Sequence, residues 1–299
     1  MDGSGKSYAN LHLHSTHSDG VYTPAQLARI AFDEGYRAIA LTDHDTVTGN
    51  PEARSECEKL GMGFIFGAEF SVAKPDPYHI VGFDFDPGYP EMAEYLKLMG
   101  ERETHQTREL FYMAVENGGI SGITWEEVLE YNEGVAWLCN NHVFRAMQAK
   151  GLIREEEYMD FFIRNYQKQR RLIPPLHPFK TTEEIIGLIH RAGGLAVYAH
   201  PAPPWGDVAD VIRLAGLGID GVEVRHPSVP EEKRAEIRAV AGKLGLYVSG
   251  GSDHSGLCGG YYSSFPDERS LKASGFYTPP CEAGVSLEEF DRLRLRLKP

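Results

Sequence analysis

Asn10-Leu-His-Leu-His14, followed at once by Ser15-Thr-His-Ser-Asp-Gly20, is the stretch on which the reading of this chain turns. A short β-rich run predicts a strand, and because strand side chains alternate with period two, His12 and His14 share one face. Two imidazoles side by side can take one metal ion. Asp19, just beyond the strand, is a further candidate ligand, with plain turn formation before Gly20 as its alternative.

Working outward, β-rich runs recur at residues 37–41, 63–66, 79–83, 194–199, 218–224 and 245–249. Helical segments ending in glycine, at residues 24–35, 51–61, 181–193, 207–218 and 230–245, precede several of them. Alternating helix and strand predicts a mainly parallel sheet. From Pro90 to about Lys180 the alternation stops, and residues 91–117, 124–131, 141–150 and 154–169 read as successive helices. Two units result: a barrel of residues 1–90 and 180–299, and an inserted helical domain of residues 91–179. The basic cluster at residues 164–171 reads as solvated helix surface, with a role in covering the pocket as its alternative.

The chemistry gathers at the strand ends. His12 and His14 lie on the first strand, Asp43-His44-Asp45 after the second, Glu69 after the third, and His79 opens the fourth. His200 follows the fifth, Glu223 closes the sixth, and Asp253-His254 follow the seventh. A parallel barrel collects its C-terminal strand ends at one mouth, so these residues are expected to meet and hold metal. Glu69 ends an apolar run, where a buried carboxylate needs a cation or several donors; a bridging position between two metals would satisfy it. Asp43 and Asp45 are expected to orient His44 as acceptors. His142 and Arg145 share a helical face and could meet a phosphate, with an ordinary helix start capped by Asn140 or Asn141 as the alternative. Arg225 and His226, after the sixth strand, are candidate substrate contacts. His17, His105, His177 and His190 read as surface or helix residues.

Among the 299 residues, 30 Lys and Arg stand against 43 Asp and Glu, a formal charge of −13. That balance opposes binding to a long nucleic-acid backbone, so long nucleic acid is not an expected partner. It leaves small phosphorylated ligands open, because bound divalent ions reverse the field inside one pocket. The 4 cysteines show no CxxC spacing and read as isolated thiols. No run reads as a membrane span or a secretory signal, so a cytoplasmic location is expected.

Taken together, His-Leu-His-Ser (12–15), Ser-Asp-Gly (18–20), Leu-Thr-Asp-His-Asp (41–45), Gly-Ala-Glu-Phe-Ser (67–71), His-Ile-Val-Gly-Phe-Asp (79–84), Ala-Val-Tyr-Ala-His-Pro (196–201) and Gly-Gly-Ser-Asp-His (250–254) resemble the PHP family of metallo-phosphoesterases. The resemblance runs the length of the chain. It implies an α/β fold, a distorted seven-stranded (β/α)7 TIM-like barrel with an inserted helical subdomain, and two or three divalent metal ions (Mn, Zn or Fe). By motif, the first metal would take His12, His14, Glu69 and Asp253. The second would share Glu69 and add His79 and His200. A third would take Asp19 and His44. Many relatives complete it from an Asp-x-His, whereas this chain reads Ser252-Asp-His-Ser255, leaving His254 or water to do so.

Phosphate-ester hydrolysis needs a reactive water, neutralised phosphoryl oxygens and help for the leaving alkoxide, which a metal cluster and nearby cations supply together. Arg145, Arg225 and His226 are the expected cations, and His226 or His254 the proton donor. The resemblance implies relatives that are nucleotide phosphatases, a 5'-3' exoribonuclease and cyclic-phosphate phosphodiesterases. The altered seventh-strand motif directs the expectation to a cyclic phosphodiester, or phosphomonoester, of a nucleotide or phosphoribosyl sugar. Two other classes stay open: an amide or lactone metallohydrolase, and a metal-binding module without turnover.

Overall fold

A computed structural model describes residues 7–76, 78–202, 206–253 and 283–297. His254, Cys258, Cys281 and residues 1–6 lie outside the described residues.

The strands are β1 (Ala9–Asn10), β2 (Ala38–Leu41), β3 (Gly63–Ser71), β4 (His79–Phe83), β5 (Leu195–Tyr198), β6 (Gly221–Glu223) and β7 (Tyr247–Ser249). They form one seven-stranded sheet in chain order. The expected mainly parallel pairing holds for β1–β2, β2–β3, β5–β6 and β6–β7, and β4 departs from it by running antiparallel to both β3 and β5. The link between β3 and β4, residues 72–78, is too short for the crossover that a parallel pair requires. This reversal has a functional consequence. His79 opens its strand, and only on a reversed strand does the first residue lie at the end where the adjoining strands finish.

β1 is shorter and β3 longer than expected. The β1 ladder stops at Asn10, so His12 and His14 lie beyond it, whereas Glu69 sits inside β3 opposite Val81. Among the described residues no β1–β7 ladder closes the curl. The edges meet instead through two backbone bonds, Leu11 N–H to the Gly250 carbonyl (3.1 Å) and Asp253 N–H to the His12 carbonyl (3.0 Å).

Alternation along the strands sorts the core. Ala38, Ala40, Ile65, Val81, Phe83, Leu195 and Val197 line the inside of the curl with Val285, Phe290 and Leu293. Ile39 and Leu41 face outward under α1 (Pro24–Glu34) and α2 (Asn50–Leu60). The start of α1 is written locally: Thr23 accepts from the Gln26 amide in a capping box, Pro24 opens the helix, and Gly35 ends it at φ 102°. The lumen is thus packed with side chains, and chemistry is confined to its rim.

Between β4 and the next sheet-facing helix the chain is helical: α3 (Pro90–Glu116), α4 (Trp125–Tyr131), α5 (Asn140–Ala149) and α6 (Tyr158–Phe162). These helices share a hydrophobic cluster built around Phe111, Trp125, Phe144, Tyr158 and Phe161. Helix α3 belongs to two cores, since Met92, Tyr95 and Met99 pack with the sheet and Leu110 and Phe111 with the helices. The single helix expected at 154–169 is broken, α6 being flanked by a 3-10 turn at Glu155–Glu157 and a π turn at Ile163–Gln167. Arg170, exposed to solvent as expected, also reaches the buried Glu103 carboxylate with its two terminal guanidinium nitrogens (2.7 and 2.5 Å).

The outer layer is completed by α7 (Thr182–Arg191), α8 (Val208–Gly216), α9 (Glu231–Leu244) and α10 (Leu287–Leu297). Among the described residues no helix is long and apolar enough to cross a membrane.

Candidate metal centre

The Glu69 carboxylate is the hub of the rim. Its Oε1 lies 3.1 Å from His79 Nδ1 and 3.0 Å from His200 Nε2. Its Oε2 lies 3.3 Å from His12 Nε2, 3.3 Å from His14 Nε2 and 3.2 Å from His44 Nδ1. Five imidazoles, drawn from four separate segments, thus face one buried carboxylate. Asp253 adds a second acid, with Oδ1 at 3.1 Å from His14 Nε2, and Asp19 a third, 3.5 Å from His14 Nδ1 and 3.8 Å from His44 Nε2. The structure therefore brings together His12, His14, Asp19, His44, Glu69, His79, His200 and Asp253.

Three groups in this set have one donor atom per residue close enough to share an ion: His12, His14 and Asp253; His14, His44 and Glu69; Glu69, His79 and His200. His12 Nε2 and His14 Nε2 stand 3.1 Å apart. Buried His14 Nδ1 and His44 Nδ1 have no hydrogen-bond partner of good geometry, only carboxylate oxygens nearby. Nitrogens crowded this way around carboxylates fit divalent cations, and mixed imidazole and carboxylate sets suit Mn, Zn or Fe.

Glu223 was visible as a strand-end acid but had no assigned task. Fully buried, it accepts from His12 Nδ1 (2.9 Å) and from the His200 backbone N–H (2.8 Å). The first bond puts the His12 hydrogen on Nδ1 and leaves Nε2 with its lone pair toward the rim. Asn10, also unforeseen, secures the segment after β7 that carries Asp253: its amide donates to Ser252 Oγ (2.7 Å) and accepts from the Ser252 N–H (3.0 Å). Gly251 passes so close to β1 that a Cβ there would collide with the His12 Cβ and backbone. The backbone is held in the left-handed region at His200 (φ 34°) and Asp253 (φ 51°), a cost kept at two of the ligand positions.

The task expected of Asp43 and Asp45 is corrected. Asp43 accepts from the Ser15 N–H (2.6 Å), Ser15 Oγ (2.7 Å) and Ser18 Oγ (2.7 Å), and Asp45 from the Ser71 N–H (3.0 Å). These acids thus brace the loops around His44 and leave its ring to Glu69 and Asp19.

His226, buried beside the ligands, accepts the Ser228 N–H at Nδ1 (3.1 Å). Its hydrogen is thereby assigned to Nε2, which points at Asp253 Oδ2, 3.5 Å away. A nitrogen carrying hydrogen donates and cannot ligate. Arg225 is half-buried just before it.

The pairing of His142 with Arg145 on a phosphate is also revised. His142 Nδ1 accepts the Cys139 N–H (2.9 Å) and its Nε2 donates to the Thr16 carbonyl (3.0 Å), so neither nitrogen remains for substrate. Arg145 places its guanidinium on Glu155 (2.7 Å) and Gln148 (2.7 Å). Of the histidines read as non-functional, His17 meets Thr48 Oγ1, His177 meets Glu101 and His190 meets Asp220.

Electrostatics divide the cluster. Burial pushes His12 down, but Glu223, Glu69 and Asp253 outweigh it and hold the ring well above its ordinary value. Burial pushes Glu69 up, yet His12, His79 and His44 hold it well below the usual carboxylate range. His44 goes the other way, brought down to about 4 chiefly by burial.

Burial likewise brings His142 down to about 4, against the pull of the Thr16 carbonyl. In an unfolded chain this ring takes up a proton near pH 6.5, whereas the folded ring resists until about 4. The unfolded state then binds more protons across that window, so stability falls as pH drops through it, by up to about 3 kcal/mol. Melting temperatures of the metal-loaded protein should fall more between pH 6.5 and 4 than those of His142→Gln, which has no titrating ring. Parallel curves for the two proteins would remove His142 as the cause.

A curled α/β sheet whose rim gathers imidazoles around a bridging carboxylate defines the site of a metal-dependent hydrolase. The chain belongs to the PHP domain family, whose profile matches residues 10–173. It is 30% identical over 82% of its length to the 3',5'-nucleoside bisphosphate phosphatase of Chromobacterium violaceum, covering 86% of that protein. It is 31% identical to the 5'-3' exoribonuclease Rnm of Salmonella typhimurium over 83% of this chain and 85% of that one. The phosphoribosyl 1,2-cyclic phosphate 1,2-diphosphodiesterase of Eggerthella lenta is 28% identical, over 84% of this chain and 95% of its own. The fold is shared with a crystal structure from Bifidobacterium adolescentis, at 24% identity, a TM-score of 0.74, and coverage of 97% of this chain and 96% of that one. The chain is a metal-dependent phosphoester hydrolase.

Proposed function

We propose that this chain hydrolyses a small phosphorylated substrate, a cyclic phosphodiester of a phosphoribosyl sugar or nucleotide and the phosphomonoester that results. The observation that carries the hydrolytic reading is the single Glu69 carboxylate within 3.3 Å of five imidazole nitrogens. His12, His14, Glu69 and Asp253 would hold one ion, Glu69, His79 and His200 a second, and Asp19 and His44 a third. When bound, divalent ions make water nucleophilic near neutral pH and neutralise phosphoryl oxygens.

The chain's own residues do the rest. Glu223 holds His12 with Nε2 toward the ion and fixes the backbone of His200. His226, its Nδ1 accepting the Ser228 N–H, offers Nε2–H as a hydrogen-bond donor to a phosphoryl oxygen; a leaving-group proton would need a second ring hydrogen at that occupied Nδ1, so it is assigned to His254 or water. Arg225, beside it, is the candidate cation for a second oxygen. His254 remains a candidate for the third ion or the proton. Arg145 reaches a phosphate only by leaving Glu155, and His142 serves the fold of the site instead of touching substrate.

A 3',5'-bisphosphate or the 5' end of a short RNA is the second reading, favoured by the 30% and 31% identities to a bisphosphate phosphatase and an exoribonuclease. Phosphate release and product analysis in Mn²⁺ with phosphoribosyl 1,2-cyclic phosphate, nucleoside 3',5'-bisphosphates and a 5'-phosphorylated oligoribonucleotide distinguishes the two. The first reading expects the cyclic ester to give the highest kcat/KM, by about tenfold or more. Preference for the bisphosphate or RNA replaces it with the second. Turnover of amides or lactones alone would overturn both.

A further inference from the structure

Asp19, the candidate third-ion ligand nearest solvent, stands on a loop gripped from two sides. From the sheet, Asp43 holds Ser15 and Ser18. From the helical segment, three residues at the start of α5 reach the same loop: Cys139 Sγ donates to the Ser18 carbonyl (3.7 Å), Asn141 Nδ2 to the Asp19 carbonyl (2.6 Å), and His142 Nε2 to the Thr16 carbonyl (3.0 Å).

Both strong donors are themselves oriented. Asn141 Oδ1 accepts from Asn140 Nδ2 (2.9 Å) and from the Tyr158 hydroxyl, which turns its NH2 toward Asp19. Tyr158 in turn belongs to the hydrophobic cluster of the helices, against which Val21 of the loop also packs. His142, at the third position of α5, closes a capping box on Cys139, so its hydrogen sits on Nε2. Above the other third-site ligand, Trp137 lies nearly parallel to His44, with ring centroids 6.0 Å apart.

We infer that the helical segment builds the third ion site: Asn141 and His142 are positioning residues that hold the carbonyls of the Thr16–Asp19 loop, and through them keep the Asp19 carboxylate against His14 and His44. The first two ions depend on sheet residues and Glu69, and are independent of this clamp. The inference rests on the proposed use of Asp19 and His44 as ligands. Its physical basis is that groups behind a ligand set its direction, and losing them weakens metal binding about 10- to 100-fold.

The test titrates the metal-stripped full-length protein with Mn²⁺ by calorimetry, with elemental analysis of bound metal and far-UV circular dichroism alongside. Asp19→Ala marks which binding event is the third. Asn141→Ala and His142→Phe should weaken that event by about 10-fold or more, with the other two and the helical signal unchanged. His142→Gln should restore it, since glutamine at this helix position can accept the cap N–H and still donate to Thr16. Unchanged third-event affinity in both Asn141→Ala and His142→Phe overturns the clamp. So does equal weakening of all events or loss of helicity, which would mark general structural residues. If Asp19→Ala leaves every event intact, the third-site reading fails and the clamp with it.

Discussion

Glu69→Gln is expected to lower phosphate release by at least about 10³-fold and to strip metal from the paired sites, because the amide keeps one acceptor oxygen and turns an NH2 toward nitrogens that need an anion. The five surrounding imidazoles come from segments as far apart as His12 and His200, and this carboxylate is the contact they share. No neighbour replaces it: Glu223 is committed to His12 and the His200 backbone, and Asp253 faces His14 and His226. Elemental analysis after dialysis, run beside the activity assay, reads both effects. If the Glu69→Gln protein kept its metal and its rate, the carboxylate would have no part in the mechanism.

His226→Phe should separate chemistry from metal binding. The ring is buried and its Nδ1 is occupied by the Ser228 N–H, so its loss should leave metal content unchanged while kcat falls by about 10²-fold, the usual worth of one preorganised donor to a developing anion. The loss should be about equal for alkyl and aryl esters, since a donor to a phosphoryl oxygen serves both. A loss that shrinks for aryl phosphates, whose leaving group departs without a proton, would make His226 a proton source instead. Depletion of metal in this variant would make it a ligand after all.

Much of the site could be read before any coordinates. His12 and His14 two residues apart, and acids and imidazoles recurring just where apolar runs end, are local patterns, and the structure gathers those residues at one rim. What failed were assignments that depend on direction. A strand's sense is invisible in a five-residue run such as His79–Phe83, and only its pairing with Gly67–Ser71 showed that it is reversed. Asp43 and Asp45 were legible as acids near His44, but not that both turn away to brace loops. Glu223 was legible as a strand-end carboxylate, whereas its bond to His12 joins residues 211 positions apart.

The one-dimensional record of this protein determined its chemistry, because metal-ligating side chains are conspicuous by type and spacing whatever their partners. Tertiary structure alone decided which nitrogen of each ring faces the rim. An imidazole has two, and the hydrogen bond at one sets the other: Glu223 leaves His12 a lone pair, Ser228 leaves His226 a hydrogen, and the Thr16 carbonyl occupies His142. That choice separates ligand from hydrogen-bond donor and both from scaffold, and it is made by groups distant in the chain or by backbone that has no letter in the sequence.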